Sequence, residues 1–431
     1  MLKDRYDLEV STTSVQACDL YIDTIDRMLA ADEGIVDALN ATLQADPEFA
    51  LAHAAQAREH QLHGRIKEAR ASAETAMELG ARTTRRERQH IEIIQHLVSG
   101  QMPKSLELTR EHLKDFPRDA FVMNPACGVF GIIGFSGRVG REAEHLDFVE
   151  PFAEHYGDDW WFLTVHAFAL LEMGQWKRAR QLVERALEQR PRSAHGAHTL
   201  THALFESGDD QEALAFLSDW LTSLDRGSML HCHLWWHQAL LLLMTGDHDA
   251  AFKALSENCL PGTTKSPSIN VFTDSVAFLW RAELAGAPRQ VEIWETLLQY
   301  YTAQFRRPIV FVDAHIGFVY AALGQTEQMN ACISELQELG ETGQLPAGTT
   351  AASLTRAYQA FAAQDWAKAI ELFEPVMSQL VRIGGSRAQR DLQTNTLLAA
   401  YVNDGRLDEA TEFLGKFHDR QPSRPIAGLT A

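Results

Sequence analysis

The stretch from Phe162 to Ala179, FLTVHAFALLEMGQWKRA, decides the fold of this chain. Before Gly174, apolar residues recur at intervals of three and four, which is typical of an amphipathic helix. Glycine ends a helix readily because it adopts the left-handed backbone conformation that a side chain disfavours. Ala179 is small enough to let the following helix pack closely against the preceding one. The stretch therefore predicts two packed helices joined by a tight turn.

The same pattern of helix, turn and small residue recurs along the whole sequence. Clear copies have their glycine and alanine at Gly64 and Ala69, Gly174 and Ala179, Gly208 and Ala213, Gly246 and Ala251, and Gly405 and Ala410; weaker copies have Gly100, Gly137, Gly286, Gly324 and Gln364 at the turn. Successive turns lie 34 to 41 residues apart, close to the roughly 34-residue period of tetratricopeptide repeats. We expect an all-α solenoid, a right-handed superhelix of about ten helix pairs, forming one domain over residues 1–431.

Few segments are expected to depart from this helical pattern. Irregular loops are predicted at 260–268 and 345–350, where Pro, Gly, Ser and Thr cluster. The most strand-like stretch, Arg306 to Asp313, is expected to open a helix instead.

Composition limits the kinds of partner and the cellular compartment that are expected for this protein. A net charge of -19 argues against a nucleic-acid or anionic-membrane partner, because no surplus of cations neutralises phosphates. The five cysteines are widely spaced and form no CxxC pair, which fits a reducing compartment. The charged N-terminal residues do not resemble a signal peptide, and the most apolar run, Ala239 to Met244, is too short to cross a bilayer. We expect a cytoplasmic protein.

Histidines concentrate between residues 195 and 237. Six of the 18 histidines fall there, in the runs HGAHTLTH, with His195, His198 and His202, and HCHLWWH, with His231, His233 and His237. Residues four apart on a helix lie one above the other on the same face. Imidazole is well suited to proton transfer near neutral pH and is the commonest metal ligand. Two such pairs on neighbouring helices predict a site built from four imidazoles.

Distances from the turn glycines indicate a face that these residues share. His198 and His202 lie ten and six residues before Gly208, His233 and His237 thirteen and nine before Gly246, and His315 nine before Gly324. These offsets fall on one side of a helix, so the imidazoles are expected to converge on the inner surface of the solenoid. Asp274 and Asp313 lie slightly off this face and are expected to orient or charge the imidazoles. Structural roles are expected for His53, His60, His63, His112, His145, His155, His248 and His418.

Two further features of the sequence each have both a structural and a functional interpretation. Trp236 is expected to pack between helices, with a role as a ligand wall as the alternative. In IGGSRAQRD, residues Gly384, Gly385 and Ser386 resemble a helix N-terminus whose free N–H groups bind an anion, with Gln389, Arg390 and Asp391 beside it. A plain capping turn and an internal ion pair explain the same residues equally well.

Established catalytic signatures are missing from the sequence. It contains no HExxH, GxSxG, Walker or dinucleotide-binding glycine motif. Cys232 and Ser275 are candidate nucleophiles only because they lie near the histidines in sequence. Four histidines with carboxylates suit a divalent transition metal by ligand type, but the spacing neither selects a metal nor requires one.

These motifs resemble the tetratricopeptide-repeat protein 38 family over nearly the whole chain. The resemblance rests on STTSVQAC, ADPEFALAH, RERQH, HLKDFPRDA, the helix with His198 and His202, CHLWWH, the Asp274-Ser275 pair, DAH at 313–315 and GGSRAQRD. His166, His195 and His231 stand where the family is not expected to have histidine. The resemblance implies a superhelical repeat fold with this polar set gathered inside, and it implies no particular reaction.

Three functions remain open on the sequence alone. The first is a concave His/Asp-lined pocket that binds a small polar molecule or peptide end, with or without acid–base chemistry. The second is a metal-dependent hydrolase or lyase that uses the histidine cluster. The third is an adaptor for a protein partner, or a homo-oligomer, in which the histidines are incidental polar core. Whether the protein is an enzyme stays undecided at this point.

Overall fold

The computed structural model describes residues 1–306, 308–415 and 425–429, so His418 lies outside the described residues. The helices are α1 Val15–Ala30, α2 Ile35–Ala45, α3 Ala50–Leu62, α4 Ile66–Gly80, α5 Arg85–Val98, α6 Met102–Asp115, α7 Ala120–Met123, α8 Arg141–Val149, α9 Ala153–Tyr156, α10 Trp160–Glu172, α11 Trp176–Gln189, α12 Ala194–Ser207, α13 Asp210–Leu221, α14 His231–Met244, α15 His248–Asn258, α16 Ser268–Leu284, α17 Val291–Gln304, α18 Val310–Leu323, α19 Thr326–Glu341, α20 Gly348–Ala362, α21 Trp366–Met377, α22 Arg387–Asn403 and α23 Leu407–Gly415. Short 3-10 helices cover Asn124–Ala126, Glu150–Phe152 and Leu380–Ile383.

The helices pair as the repeat pattern predicts. The described residues contain ten regular pairs, from α1 with α2 to α22 with α23, interrupted at 120–156 by the short helices α7, α8 and α9. All ten predicted turn residues have a positive φ, from 59° at Gln364 to 94° at Gly286. The alanines expected five residues later are fully buried at Ala69, Ala179, Ala213, Ala251 and Ala410. The all-α solenoid is therefore confirmed, with irregularity confined to one segment.

The two helices of a pair differ in how much of their surface is buried. In α12 every residue but His195 is buried, whereas α13 buries only Ala213, Leu217, Trp220 and Leu221. A helix that buries one stripe lies on the outside, and one buried on all faces is packed from both sides. The first helices of the pairs therefore form an inner layer, and the second helices form the outer layer.

The C-terminal part of the solenoid packs back against its middle. Arg141 at the start of α8 donates to the carbonyls of Val381 and Gly385, at 2.7 Å and 2.6 Å. Arg390 of α22 forms ion pairs with Glu142 of α8 and Glu172 of α10. These partners lie more than 200 residues apart in sequence, so the superhelix closes on itself and places α22 against its inner layer.

A few segments differ from the sequence-based expectation. Helix α16 begins at Ser268 and α20 begins at Gly348, so the predicted loops at 260–268 and 345–350 extend too far at their C-terminal ends. In the second case Gly348 lets the new helix start directly against the backbone of Gly340, where a Cβ would meet main-chain atoms. The strand-like stretch opens a helix, as predicted, with α18 starting at Val310.

Near the N-terminus the structure adds a feature that the sequence did not predict. Strands β1 Leu2–Lys3 and β2 Glu9–Val10 pair in antiparallel fashion. The turn between them is held by Asp4, whose carboxylate accepts hydrogen bonds from the backbone N–H groups of Tyr6 and Leu8.

All five cysteines are free thiols. Among the described residues, no helix combines the length and apolar character needed to span a bilayer.

Candidate metal centre

Four histidines meet where the inner helices α12 and α14 pack together. Helix α12 contributes His198 and His202, and α14 contributes His233 and His237, each pair one helical turn apart as predicted. One ligand nitrogen from each of the four lies within 4.8 Å of the other three, and all four residues are at most 8% exposed. The predicted convergence of two H-x-x-x-H pairs is therefore present in the structure.

The nitrogen atoms of these imidazoles face one another. Nε2 of His198 lies 2.9 Å from Nε2 of His202 and 3.0 Å from Nε2 of His233. A tetrahedral ion with metal–nitrogen bonds of about 2.0–2.1 Å separates its ligand nitrogens by about 3.3 Å. The separations therefore need only small adjustment to surround an ion. Nε2 of His237 is buried without a hydrogen-bond partner among the described residues, so it too has a free position.

Asp274 of α16 holds one of the imidazoles from outside the cluster. Its Oδ2 lies 2.8 Å from Nδ1 of His233, and Asp274 is 1% exposed. A carboxylate on Nδ1 fixes the tautomer in which Nε2 carries a lone pair, and this arrangement is common behind metal-binding histidines. On the other side, Gln389 of α22 places its Nε2 3.5 Å from Oδ1 of Asp274. The predicted orienting role of Asp274 thus has a geometric basis.

Aromatic rings form the walls around the four imidazoles. The ring of Phe168 stacks on His198 at 5.6 Å and 20°, and the ring of Trp236 stacks on His233 at 5.1 Å and 17°. Trp236 is fully buried, and Arg281 lies 5.7 Å from the centre of its ring. Trp236 therefore packs directly on the cluster, which fits the structural interpretation and restricts rotation of His233.

Burial favours the uncharged form of three of these imidazoles. It lowers the pKa of His202 to about 3 and, together with the neighbouring imidazoles, holds the pKa of His198 and His237 well below the ordinary histidine range. A neutral imidazole has one nitrogen with a free lone pair, which is the form that binds metal. At neutral pH His198, His202 and His237 therefore present uncharged donor atoms in a desolvated space.

His315 and Asp313 of α18 do not join this cluster. Nδ1 of His315 lies 2.7 Å from the carbonyl oxygen of Phe311. Burial lowers the pKa of His315, while the charge of Asp274 raises it and that of Arg281 lowers it. Asp313 accepts a hydrogen bond from the Tyr301 hydroxyl at 3.2 Å. Two residues apart on a helix, the two side chains point in different directions, so Asp313 cannot share the face of His315. The expectation that Asp313 orients the imidazoles is therefore wrong.

The N-terminus of α22 already has an internal anion. Ser386 caps the helix reciprocally with Gln389, and the backbone N–H of Arg387 donates to Oε1 of Glu172 at 3.2 Å. Arg390 donates to the carbonyl of Gly385. Of the two interpretations of Gly384, Gly385, Ser386, Gln389, Arg390 and Asp391, the structure therefore favours a capping turn with an internal ion pair over a site for the anionic end of a ligand. Sequence reasoning missed Glu172 because it lies 215 residues from its partner.

The two adjacent glycines of this turn serve close packing. Gly384 and Gly385 have φ values of 92° and 74°. A Cβ on Gly385 would lie 2.4 Å from the ring of Phe311, and one on Gly384 would lie 2.7 Å from Phe135. The turn therefore needs glycine both for its backbone conformation and for space.

The candidate nucleophiles are not placed for catalysis. Cys232 and Ser275 both donate to the carbonyl of Cys259, and burial raises the pKa of the Cys232 thiol well above its usual value. Outside the cluster, His231 contacts the Thr264 hydroxyl at 3.0 Å and His166 lies 3.7 Å from Glu150. Their exclusion from the core site agrees with these positions.

One charged neighbour of the cluster escaped the sequence analysis. Arg281 lies seven residues after Asp274 on α16, 6% exposed, and donates to the carbonyl of Ala388 at 2.7 Å. Burial lowers the pKa of both His237 and His315, and the charge of Arg281 lowers it further. The spacing of seven puts Asp274 and Arg281 on the same helical face, and this signal was available in the sequence.

This chain is similar to one protein-family model and to several solved structures. A tetratricopeptide-repeat family model matches residues 170–224. Among solved structures, yeast Tom70 has a TM-score of 0.42 and 10% identity, covering 94% of this chain and 91% of its own. The human IFIT1 dimer with m7Gppp-AAAA gives 0.42 and 12%, covering 96% and 97%. A tetratricopeptide repeat protein from Parabacteroides merdae gives 0.40 and 11%, covering 63% and 98%.

The matched segment contains α11, α12 and α13, and therefore includes His198 and His202. The ten helix pairs with their left-handed turn residues extend the same architecture on both sides of it. The chain therefore folds as a tetratricopeptide-repeat-like solenoid.

Proposed function

We propose that this protein binds one transition metal ion inside its solenoid, through His198, His202, His233 and His237. The observation that carries the proposal is the gathering of four buried imidazoles whose ligand nitrogens all lie within 4.8 Å of one another. No other group of histidine, cysteine and acidic side chains in the described part of the chain meets this condition. We propose metal binding only, and no reaction.

The hydrogen-bonding pattern supports a cation at the centre. Nε2 of His198 faces two other Nε2 atoms, and a single proton on it satisfies only one of them. Nε2 of His237 has no partner among the described residues. Buried polar atoms without partners are costly in free energy. An ion that accepts all four lone pairs removes this cost.

The donor set favours particular metals. Imidazole ligands suit zinc, copper, nickel and iron, whereas magnesium and calcium prefer oxygen ligands. Asp274 supplies one negative charge next to His233 and partly offsets the charge of the ion. A complete set of four protein ligands is typical of a closed zinc site, while a catalytic site leaves one position for water. The ligand set therefore supports stable metal binding more directly than it supports hydrolase or lyase activity.

The test is the metal content of protein purified without a histidine tag. We expect close to one zinc, copper or nickel ion per chain, or its recovery when stripped protein is titrated with Zn²⁺ or Co²⁺. A double variant, His198→Ala with His237→Ala, is expected to bind none. The matched control changes His155 and His248, which lie outside the cluster, and is expected to bind as the parent does. Parent protein that neither carries nor takes up an ion overturns the proposal.

A second candidate is proton transfer to a small polar ligand. The contacts from His202 through His198 and His233 to Asp274 form a continuous chain of nitrogen and oxygen atoms that a proton can follow. This reading gains support when the purified protein is metal-free and yields a bound organic molecule on denaturation. It loses support when neither a ligand nor any shift of histidine signals in NMR spectra is found on adding polar metabolites.

We also propose that the chain belongs to the tetratricopeptide-repeat protein 38 family. The order and spacing of CHLWWH, the Asp274-Ser275 pair and GGSRAQRD support it. A profile built from members of that family is expected to align over the whole chain, including these three motifs in order. Alignment limited to the generic repeat positions contradicts it.

A further inference from the structure

We infer that the first turn of α22, together with the glycines before it, is the gate through which the metal reaches the four histidines. We name residues 384–391 the α22 turn. The inference rests on the metal site proposed above and concerns its regulation. Because the histidines are at most 8% exposed, an ion cannot reach them without movement of some part of the protein.

The α22 turn touches the cluster from the side of Asp274. Gln389 lies 3.5 Å from Asp274, which in turn contacts His233 at 2.8 Å. Next to it, the carbonyl of Ala388 accepts a hydrogen bond from Arg281. Gln389 and Ala388 are 2% and 1% exposed, so the turn separates this side of the cluster from solvent. Displacing it uncovers Asp274, the outer partner of His233.

The other walls of the cluster are attached more firmly. Phe168 of α10 stacks on His198, and Trp236 stacks on His233, which lies on the same helix as Trp236, α14. The inner helices α10, α12, α14 and α16 contribute many side chains to continuous apolar cores, whereas residues 384–391 contribute only Ala388. Moving any of them breaks the apolar contacts of a whole repeat, which costs far more than moving one helix end.

Polar contacts fix the α22 turn to α8 and α10. Arg141 donates to Gly385, Arg390 pairs with Glu142 and Glu172, and the N–H of Arg387 donates to Glu172. Charged groups lose their hydration when such contacts form and recover it when they open, so a cluster of this kind opens at lower cost than an apolar interface of similar size. Nη1 of Arg390 lies 3.6 Å from Oε2 of Glu172, so this ion pair contains no hydrogen bond.

The backbone at this point is suited to a hinge. Gly384 and Gly385 both have positive φ and stand between the 3-10 helix Leu380–Ile383 and α22. Glycine crosses between backbone conformations with little steric cost. Rotation at these two residues displaces the turn while both flanking helices stay intact.

Release of metal to a chelator tests the gate. Protein loaded with Zn²⁺ is mixed with excess EDTA, and the rate of zinc loss is compared between the parent and Glu142→Gln, which removes the charge paired with Arg390. We expect faster release by on the order of tenfold, with unchanged zinc stoichiometry. A second variant, Arg387→Gln, removes the independent contact with Glu206 and is expected to act in the same direction. An effect that both variants share cannot come from a folding defect specific to Glu142→Gln.

The control is Glu212→Gln, which removes an exposed ion pair with Arg180 between the outer helices α11 and α13. It is expected to release zinc at the parental rate. Equal release rates in the parent, Glu142→Gln and Arg387→Gln overturn the gate while leaving the metal site in place. Failure of the parent to bind zinc overturns the metal site and the gate together. Hydrogen exchange at residues 380–391 provides a second readout, since metal is expected to slow it if the turn closes over the ion.

Discussion

Oδ2 of Asp274 lies 2.8 Å from Nδ1 of His233, and this contact joins α16 to the histidine pair of α14. Both side chains are at least nine-tenths buried. The contact holds the proton of His233 on Nδ1, which leaves a lone pair on Nε2, the atom that faces His198. It therefore connects the orientation of one imidazole to the position of a helix in the following repeat.

Replacing Asp274 by Asn is expected to weaken metal binding without abolishing it. The amide keeps the size of the side chain and loses the charge, and the loss of such an outer partner typically costs about 10–100-fold in affinity. Competition titration with a chromophoric chelator measures the change. Asp313→Asn is the matched control, because Asp313 is buried on α18 but contacts Tyr301 instead of the cluster. Equal affinity of Asp274→Asn and the parent contradicts the role of Asp274.

Changing the histidines one at a time is expected to separate ligands from neighbours. His237→Ala removes one of the four donors and is expected to lower affinity by more than the roughly 100-fold limit for an outer partner. His315→Ala is expected to keep both affinity and stoichiometry, because Nδ1 of His315 is used by the carbonyl of Phe311. Elemental analysis and the same titration distinguish the two. A larger loss in His315→Ala than in His237→Ala would assign the ligands differently.

Replacing a turn glycine by alanine is expected to lower the free energy of unfolding by different amounts at different turns. At Gly64 a Cβ meets nothing within 4 Å, so Gly64→Ala is expected to cost only the left-handed backbone penalty, about 1–2 kcal/mol in the free energy of unfolding. At Gly385 the Cβ would also lie 2.4 Å from Phe311, so Gly385→Ala is expected to cost clearly more. Chemical denaturation measures both. Similar losses at the two positions speak against a packing role for Gly385.

A buried charge cluster between α5 and α7 is expected to be important for stability. Asp119 accepts hydrogen bonds from Arg86, His90 and His112, at 2.9 to 3.2 Å. Asp119→Ala leaves the buried guanidinium of Arg86 without this partner, and breaking such a pair typically costs about 3–5 kcal/mol. Asp115→Ala, which breaks the exposed pair with Arg85, is the control, with an expected cost within about 1 kcal/mol. A loss as small as the control's, seen by chemical denaturation, contradicts the expectation.

Stability is expected to fall on mild acidification, in part through His145. Burial, reinforced by the charge of Arg141, lowers the pKa of His145 to about 4, and its Nε2 accepts the N–H of Gly128 at 3.1 Å. In the unfolded chain the pKa of histidine is about 6.5. Between these values the unfolded state binds a proton that the folded state rejects, so the contribution is complete above about pH 6.5 and is lost as pH falls toward 4.

For this one residue the expected slope is about 1.4 kcal/mol per pH unit. His145→Gln keeps an acceptor for Gly128 but cannot titrate, so its free energy of unfolding is expected to depend less steeply on pH. Denaturation curves between pH 4.5 and 7, recorded with excess chelator to remove any effect of metal, measure both slopes. Parallel pH dependence of the parent and His145→Gln contradicts the assignment.

The sequence by itself determined the repeat architecture and the pairing of the histidines. Both depend on local relationships: a glycine or Gln364 in the left-handed conformation ends one helix, and residues four apart share a helical face. Because each repeat contacts mainly its neighbours, this local information was enough to bring His198 and His202 of α12 next to His233 and His237 of α14.

Only the tertiary structure decided what surrounds the cluster. The contact of the α22 N-terminus with Glu172 and that of Arg281 with the α22 turn depend on how the superhelix closes. The contact of Asp313 with Tyr301 depends instead on how the neighbouring helices α17 and α18 pack. Closure brings together residues more than 100 positions apart, through the sum of small rotations between successive repeats. No local pattern records that sum, so the sequence identified the histidines but not the residues that enclose them.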